Sequence, residues 1–430
     1  MRSKRIPRIH QLNISRYLAL LALVIAGEAI FLLPFVLSRI FRPVFLDVFG
    51  ISNLQLGTAF SLYGMVAMVS YFAGGPLADR FQARGLLVSA LLLTSLAGLL
   101  LAGIPSLPVL TMLYALWGLS TIFLFWAALI KTTRELGTDS QGQAFGLLDG
   151  GRGLFAALLS SFSVLIFASL LPEQVETADL QERAAALSTI ILIFSGMGVF
   201  SAILVWLFIP VSTELAQPTA PAVSLSGVKR VITMPAVWMQ ALIILCAYVA
   251  YKSTDDFSLY ARDAFGYNDV EAVRLGTLSF WMRPIAAVCA GLLADKFNGR
   301  LILQCSFALV MLGSAMIASG FLQPGMGWML LITIAGTSAA IYALRGVYFA
   351  VMAEAKIPLS VTGSAVGLVS FIGFTPDIFM GPLMGYLIDS SPGALGHQHV
   401  FMVIFSFSLI GFTSACFFQR NSETRKKILR

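Results

Sequence analysis

The chain has 430 residues, of which 58% are hydrophobic and 11% charged, with a mean hydropathy of +0.87 and a net charge of +7. A soluble globular domain carries about 25% charged residues, so this chain cannot dress a water-facing surface of its size, and lipid is the solvent for most of it. That excludes a soluble enzyme, a nucleic-acid-binding domain and a disordered scaffold, and it removes the basic balance as a nucleic-acid footprint.

An α-helix needs about 20 mostly apolar residues to cross a bilayer. In chain order such runs lie at 17–40, 54–78, 85–104, 108–130, 143–171, 184–210, 234–260, 272–294, 301–321, 325–350, 361–388 and 399–419, which predicts an all-α membrane protein of twelve spans. The fifth and eleventh are over-long and are expected to tilt or to project beyond the bilayer. Ile104-Pro105-Ser106-Leu107-Pro108 and Pro324-Gly325 are turn chemistry between adjacent runs. With the N-terminus placed in the cytoplasm, the inner segments collect 19 of the 28 basic residues, among them Arg80, Arg84, Lys229, Arg230, Lys296 and Arg300. The connection at 172–183 holds Glu173, Glu176, Asp179 and Glu182 against Arg183 alone. The positive-inside rule therefore predicts that both termini are cytoplasmic. The first run is as long as a full span and no small-residue cleavage site follows it, so it reads as a retained helix.

Cys246, Cys289, Cys305 and Cys416 lie inside apolar runs without paired spacing and read as small core hydrophobes. His10, His397 and His399 are too few and too terminal for a metal centre. No metal and no cofactor is expected. The Gly-x-x-x-x-Gly-Lys-Ser/Thr pattern does not occur, so nucleotide hydrolysis is not the energy source.

The two halves repeat one another. Gly75-Pro76-Leu77-Ala78-Asp79-Arg80-Phe81 ends the second span and Gly291-Leu292-Leu293-Ala294-Asp295-Lys296-Phe297 ends the eighth, and the same shift carries Arg84 onto Arg300. Gly142, Ala144, Gly146 and Leu147 of the fifth span recur as Gly363, Ala365, Gly367 and Leu368 of the eleventh. This gives a bundle at 1–210, a polar linker at 211–233 and a second bundle at 234–430.

These residues resemble the major facilitator superfamily of secondary transporters, whose signature is a Gly-x-Leu-Ala-Asp-Arg-x-Gly-Arg-x-Arg-like loop between helices 2 and 3. The resemblance covers essentially the whole chain. It departs at Gln82-Ala83, where the family has Gly then Arg, and at Asn298-Gly299, where the Gly comes one position late. The resemblance implies two pseudo-symmetric six-helix bundles that alternate in access to a site between them. It also implies a gate of Gly75, Asp79, Arg80, Arg84, Gly291, Asp295, Lys296 and Arg300. Their glycines would let helices approach closely, and their charges would hold one side shut in one state.

An ionisable group at membrane depth costs about 2.5–3.5 kcal/mol on insertion scales. Ten are candidates: Glu28, Arg39, Asp149, Arg152, Lys252, Asp255, Asp256, Arg283, Arg345 and Asp377. None falls in spans 3, 6, 9 or 12, which the resemblance places outermost, so they are expected to line a cavity. Arg345, Arg283, Arg39, Arg152 and Lys252 are the candidate substrate contacts, because a guanidinium grips a carboxylate or phosphate with two parallel hydrogen bonds. Glu28, Asp149 and Asp377 are the candidates for proton coupling. Asp149 and Arg152 stand at i and i+3, which predicts a pair side by side on one helix. Lys252 with Asp255 or Asp256 predicts a self-satisfied cluster. Tyr63, Trp126 and Tyr342 are candidates to stack on a substrate.

The expected function is secondary transport of a small solute, an organic anion, by alternating access with proton symport or exchange. The partners are then the solute, protons or another ion, and the lipid of a bacterial inner membrane. Two readings compete. Efflux of amphipathic drugs would be favoured by an uncompensated carboxylate in an aromatic cavity, although the antiporter-type Gly-x-x-x-Gly-Pro-x-x-Gly-Gly pattern is missing from helix 5. A non-transporting sensor would need a long cytoplasmic loop or domain.

Overall fold

The computed structural model describes residues 9–137, 141–211, 231–296, 299–348 and 362–428. Twelve long helices follow the predicted runs to within a few residues: α1 (Arg16–Ile40), α2 (Asn53–Arg80), α3 (Ala83–Ala102), α4 (Leu107–Leu136), α5 (Ala144–Leu170) and α6 (Leu180–Phe208) form one half. The other half holds α7 (Pro235–Asp255), α8 (Asp269–Lys296), α9 (Gly299–Ala318), α10 (Gly327–Val347), α11 (Gly367–Ser390) and α12 (Ala394–Phe417). Among the described residues eleven are long and apolar enough to cross a membrane. The twelfth, α8, matches them in length, and its charged residues Asp269, Glu271, Asp295 and Lys296 lie in its first and last turns, with Arg283 alone near its middle.

The halves pack by the same rules. In the first, α1 lies on α5 and α6, α2 on α4, and α3 on α4 and α6; in the second, α7 lies on α11 and α12, α8 on α10, and α9 on α10 and α12. Short helices Arg42–Phe49 and Phe257–Phe265 follow α1 and α7, and both stop at a left-handed glycine, Gly50 (φ 59°) and Gly266 (φ 69°). An L side chain rarely adopts that conformation. The duplication read from the sequence is therefore a duplication of structure.

Close approach depends on small residues, as expected where lipid supplies no hydrophobic drive between helices. A Cβ on Gly98 of α3 would collide with Ser195 of α6, and a Cβ on Gly198 of α6 with Ser95 of α3. Between the halves, Gly57 of α2 meets the backbone of Gly381 of α11, and Gly64 meets Asp377. On the opposite seam Gly153 of α5 faces the Arg283 side chain and Pro284 of α8.

Four helices are irregular where they border the centre. Pro34 removes a backbone donor inside α1, and Leu32–Val36 widens to a π-helical turn. Leu119–Trp126 does the same in α4. The eleventh run is two helices, Thr362–Gly373 and Pro376–Ser390, with Pro376 starting the second. The seventh run, expected as 234–260, breaks at Ser253–Asp255 before Phe257–Phe265.

Every hydrogen bond and ion pair that joins the halves among the described residues lies at mid-depth or toward the α1–α2, α5–α6, α7–α8 and α11–α12 connections, called here the far side. Two expectations need correction. Gly75 is not a close-packing position, because a Cβ there would meet nothing within 4 Å, while its neighbour Gly74 abuts the α4 backbone at Phe123. Of the four cysteines only Cys246 is core; Cys289 and Cys305 are exposed on the bundle perimeter. The linker 211–233 lies almost wholly outside the described residues.

Candidate functional site

A cavity of about 270 Å³ lies between the halves at mid-depth. Its lining comes from α1, α2, α4, α5, α7, α8, α10 and α11, and from none of α3, α6, α9 or α12. Eight of the ten expected buried charges line it: Glu28, Arg39, Asp149, Arg152, Lys252, Arg283, Arg345 and Asp377.

Their pairing runs between helices. Glu28 is 3% exposed and is held by Arg152 Nε at 3.3 Å and Arg283 Nη1 at 3.1 Å. Arg283 Nη2 also reaches Asp149 Oδ1 at 3.5 Å, so this one residue of α8 joins α1 and α5. The predicted Asp149–Arg152 pair is therefore not made. The turn that places them near each other also points Arg152 toward α1, where a Cβ on Gly27 would stand only 3.0 Å from its Cδ. Glu28 is correspondingly not the isolated acid that the efflux reading needed.

Lys252 Nζ contacts Asp377 Oδ1 at 2.7 Å and reaches Asp255 only at 4.0 Å, so its cluster spans α7 and α11 and is not self-contained. Tyr248 donates to the same Asp377 at 3.0 Å. Asp377 stands at the break in α11, one residue after Pro376, where the helix start leaves backbone donors unpaired and favours a carboxylate. Arg39 Nε contacts Asp255 at 2.6 Å, and its Nη1 donates to the Tyr251 hydroxyl at 2.9 Å. Asp256 turns away from the cavity to His397 Nδ1 at 2.7 Å.

Arg345 differs from the other four cations. Among the described residues it has no carboxylate within ion-pair distance, and its guanidinium lies over the rings of Tyr251 at 4.0 Å and Tyr248 at 5.9 Å. An arginine on an aromatic face keeps its in-plane donors available to a planar or tetrahedral anion.

The aromatic expectations divide. Tyr63 and Trp126 line the cavity, and Tyr63 is held through its hydroxyl by Thr121 at 2.8 Å. Tyr342 does not line it; it packs behind Tyr251 with ring centres 6.2 Å apart. Sequence reasoning missed Phe31, Phe35, Tyr248, Tyr251, Tyr348 and Phe374. The i, i+3, i+4 spacing of Tyr248, Tyr251 and Lys252 was the available signal.

A second charged cluster closes the far side. Asp47 accepts from Arg262 at 2.8 Å and meets Arg183 at 3.6 Å, and Arg183 reaches Asp269 at 3.3 Å. His397, fully buried, bridges Asp256 and Asp263, the latter at 3.3 Å. Asp389 of α11 accepts from the backbone amide of Leu54 at 2.8 Å and so caps α2 from the other half. Of this latch only the acidic 172–183 connection was legible beforehand.

At the chain-end side, Asp79 and Arg80 are exposed and make no ion pair among the described residues. Lys131 Nζ donates to the Ala78 carbonyl at 2.8 Å, and Arg84 stacks on Trp206 at 4.3 Å. Arg300 lies in the first turn of α9. The side chains of Asp295 and Lys296, and the surroundings of Gly291, lie outside what is described.

The family profile described as Major Facilitator Superfamily matches residues 17–376. The chain belongs to the major facilitator superfamily. Curated relatives include the inner membrane protein YqcE of Escherichia coli strain K12, 27% identical over 90% of this chain and 91% of that protein, and the inner membrane protein YihN of the same strain, 24% identical over 95% and 96%. Similar solved folds include the nucleoside transporter NupG, with a TM-score of 0.71 at 12% identity over 95% of this chain and 99% of that one. A bacterial homologue of the human lysosomal transporter Spinster, inward-facing and unoccupied, gives a TM-score of 0.70 at 15% identity over 96% and 98%. These likenesses show the superfamily fold, and the family match places the chain among its membrane-embedded members.

Proposed function

We propose that this protein carries a small organic anion across the membrane by alternating access, with the anion bound in the central cavity at Arg345. The observation that supports this reading is the charge inventory of the site. Five cations meet the cavity or its wall, and four carboxylates (Glu28, Asp149, Asp255 and Asp377) answer four of them. The remaining guanidinium, Arg345, faces the cavity from α10 among tyrosines. An uncompensated cation at membrane depth is costly unless an anion enters.

With both termini in the cytoplasm, the ion-paired far side is the outer one, which supports reading this arrangement as an inward-facing state of the cycle. Opening the outer side requires breaking the Arg39–Asp255 pair and the Asp47–Arg262–Arg183–Asp269 cluster. A bound anion drives that change if it competes with Glu28 and Asp149 for Arg283, the residue that ties the halves on the α5–α8 seam. A released carboxylate would then take up a proton in a symport cycle, or remain ionised in an exchange cycle.

Counterflow in proteoliposomes tests this. Vesicles preloaded with one organic anion should accumulate the same labelled anion, and neutral sugars and lipophilic cations should neither accumulate nor compete. A pH gradient adds to accumulation if coupling is to protons, and leaves it unchanged if transport is exchange. Counterflow of lipophilic cations alone would overturn the anion reading.

A further inference from the structure

The stoichiometry of the cavity goes one step beyond its sign. Arg39 is answered by Asp255, Lys252 by Asp377, and Arg152 and Arg283 together by Glu28 and Asp149. Among the described residues one guanidinium, Arg345, is left without a carboxylate. We infer that the site takes a substrate bearing a single negative charge, a carboxylate or other monoanion, and discriminates against dianions such as a fully ionised phosphate monoester; this rests on the organic-anion reading above.

The physical reason is that the paired cations are not spare. Glu28 is 3% exposed and Asp255 6% exposed. A second negative charge drawing on Arg39, Arg152 or Arg283 must therefore share that cation with buried Asp255 or Glu28, and stranding one member of a buried pair is strongly unfavourable. The Tyr248, Tyr251, Phe31, Phe35 and Trp126 rings around the cavity offer no further positive charge, and their π-faces repel a second anion. A monoanion on Arg345 brings the positive and negative groups of the site to equality. The least protected resident carboxylate is Asp149, whose side chain is 61% exposed and whose contact with Arg283 is 3.5 Å. It is therefore the residue whose neutralisation would make room for a second charge.

Matched sulfonate and phosphate-ester probes test the inference on the full-length protein in nanodiscs, on three skeletons: a phenyl ring, a three-carbon polyol and an aldohexose. A sulfonate stays a monoanion from pH 5.5 to 7.5, so its affinity over that range reports any pH response of the protein itself. A phosphate monoester with a second pKa near 6 is about 3% monoanion at pH 7.5 and about 75% at pH 5.5. After correction by the sulfonate arm, its binding should tighten about 20-fold on acidification if only the monoanion fits. Asp149→Asn should abolish most of that change by admitting the dianion. Phosphate esters that bind at pH 7.5 as tightly as the matched sulfonates, with no gain on acidification, would overturn the monoanion inference and leave the anion reading standing. Failure of every anion on every skeleton would overturn both.

Discussion

Arg39 Nε and Asp255 Oδ1 are 2.6 Å apart, and the side chains are 4% and 8% exposed. The pair joins α1 to the end of α7 beneath the far-side surface, and Arg42 supports it by donating to the Asp255 carbonyl at 3.2 Å and Ser258 by donating to the Arg39 carbonyl at 3.0 Å. Removing one partner of a buried ion pair costs about 3–5 kcal/mol, and here the cost falls on the closed far side alone. In a cysteine-free background, a cysteine at the cavity position Val36 should react at least tenfold faster with a bulky impermeant maleimide from the far side when Asp255→Ala is added. An unchanged rate would show that this pair does not hold the closure.

The His397–Asp263 contact gives the latch a defined acid limit. Asp263 lies beyond the end of α7, on the short helix Phe257–Phe265. Burial opposes its charge, but the hydrogen bond from His397 and the charges of His397 and Arg262 outweigh it and hold its pKa below the ordinary carboxylate value. A depressed carboxylate contributes stability above that ordinary value, near 4, and loses it as pH falls through the lowered one. The difference in Tm between wild type and Asp263→Asn should therefore stay constant from pH 8 to pH 5 and shrink only below about pH 4. A difference that vanishes by pH 6 would contradict this assignment.

Asp389 caps a helix of the opposite bundle. Its Oδ2 accepts from Leu54 at 2.8 Å and its Oδ1 from the Asn53 amide at 3.2 Å, beside a capping box in which Gln55 answers Ser52. Loss of a helix cap costs about 0.5–2 kcal/mol, so Asp389→Ala should lower the Tm measurably and Asp389→Asn by less. Equal effects of the two substitutions would argue that the charge and not the cap geometry matters.

Two glycines of α2 should behave oppositely. Gly57 meets the Gly381 backbone across the halves, whereas Gly75, in the family signature, faces open space in this state. Gly57→Ala should push α2 from α11, slow counterflow more than tenfold and raise far-side labelling of the Val36 cysteine. Gly75→Ala should leave the Tm unchanged. A Tm loss at Gly75 matching that at Gly57 would show that α2 packs differently from the arrangement described.

Much of the architecture was legible because lipid imposes a simple rule, long apolar runs, and because Gly75 to Phe81 recurs as Gly291 to Phe297. The cavity was legible for a related reason: a charge survives in a span only where it finds water or a partner, and the charged positions mark the helices that meet at the centre. The pairing was not. Asp149 and Arg152 are close in sequence, but a guanidinium reaches across a helix seam as readily as along its own helix, and Gly27 opens the seam toward Glu28. The role of His397 was hidden because its partners Asp256 and Asp263 come from residues far away in the chain. The break at Phe374 and Thr375 was equally silent, since Pro376 alone does not distinguish a kink from a new helix start.

The most direct measurement is titration of organic anions into wild type and Arg345→Gln by calorimetry, with Tm recorded for each. Loss of a charge-assisted contact worth about 2–3 kcal/mol corresponds to an affinity about 30- to 150-fold weaker. The unliganded Tm should hold or rise, because an unanswered cation has been removed. Anion affinity that survives the substitution unchanged would contradict Arg345 as the substrate's partner.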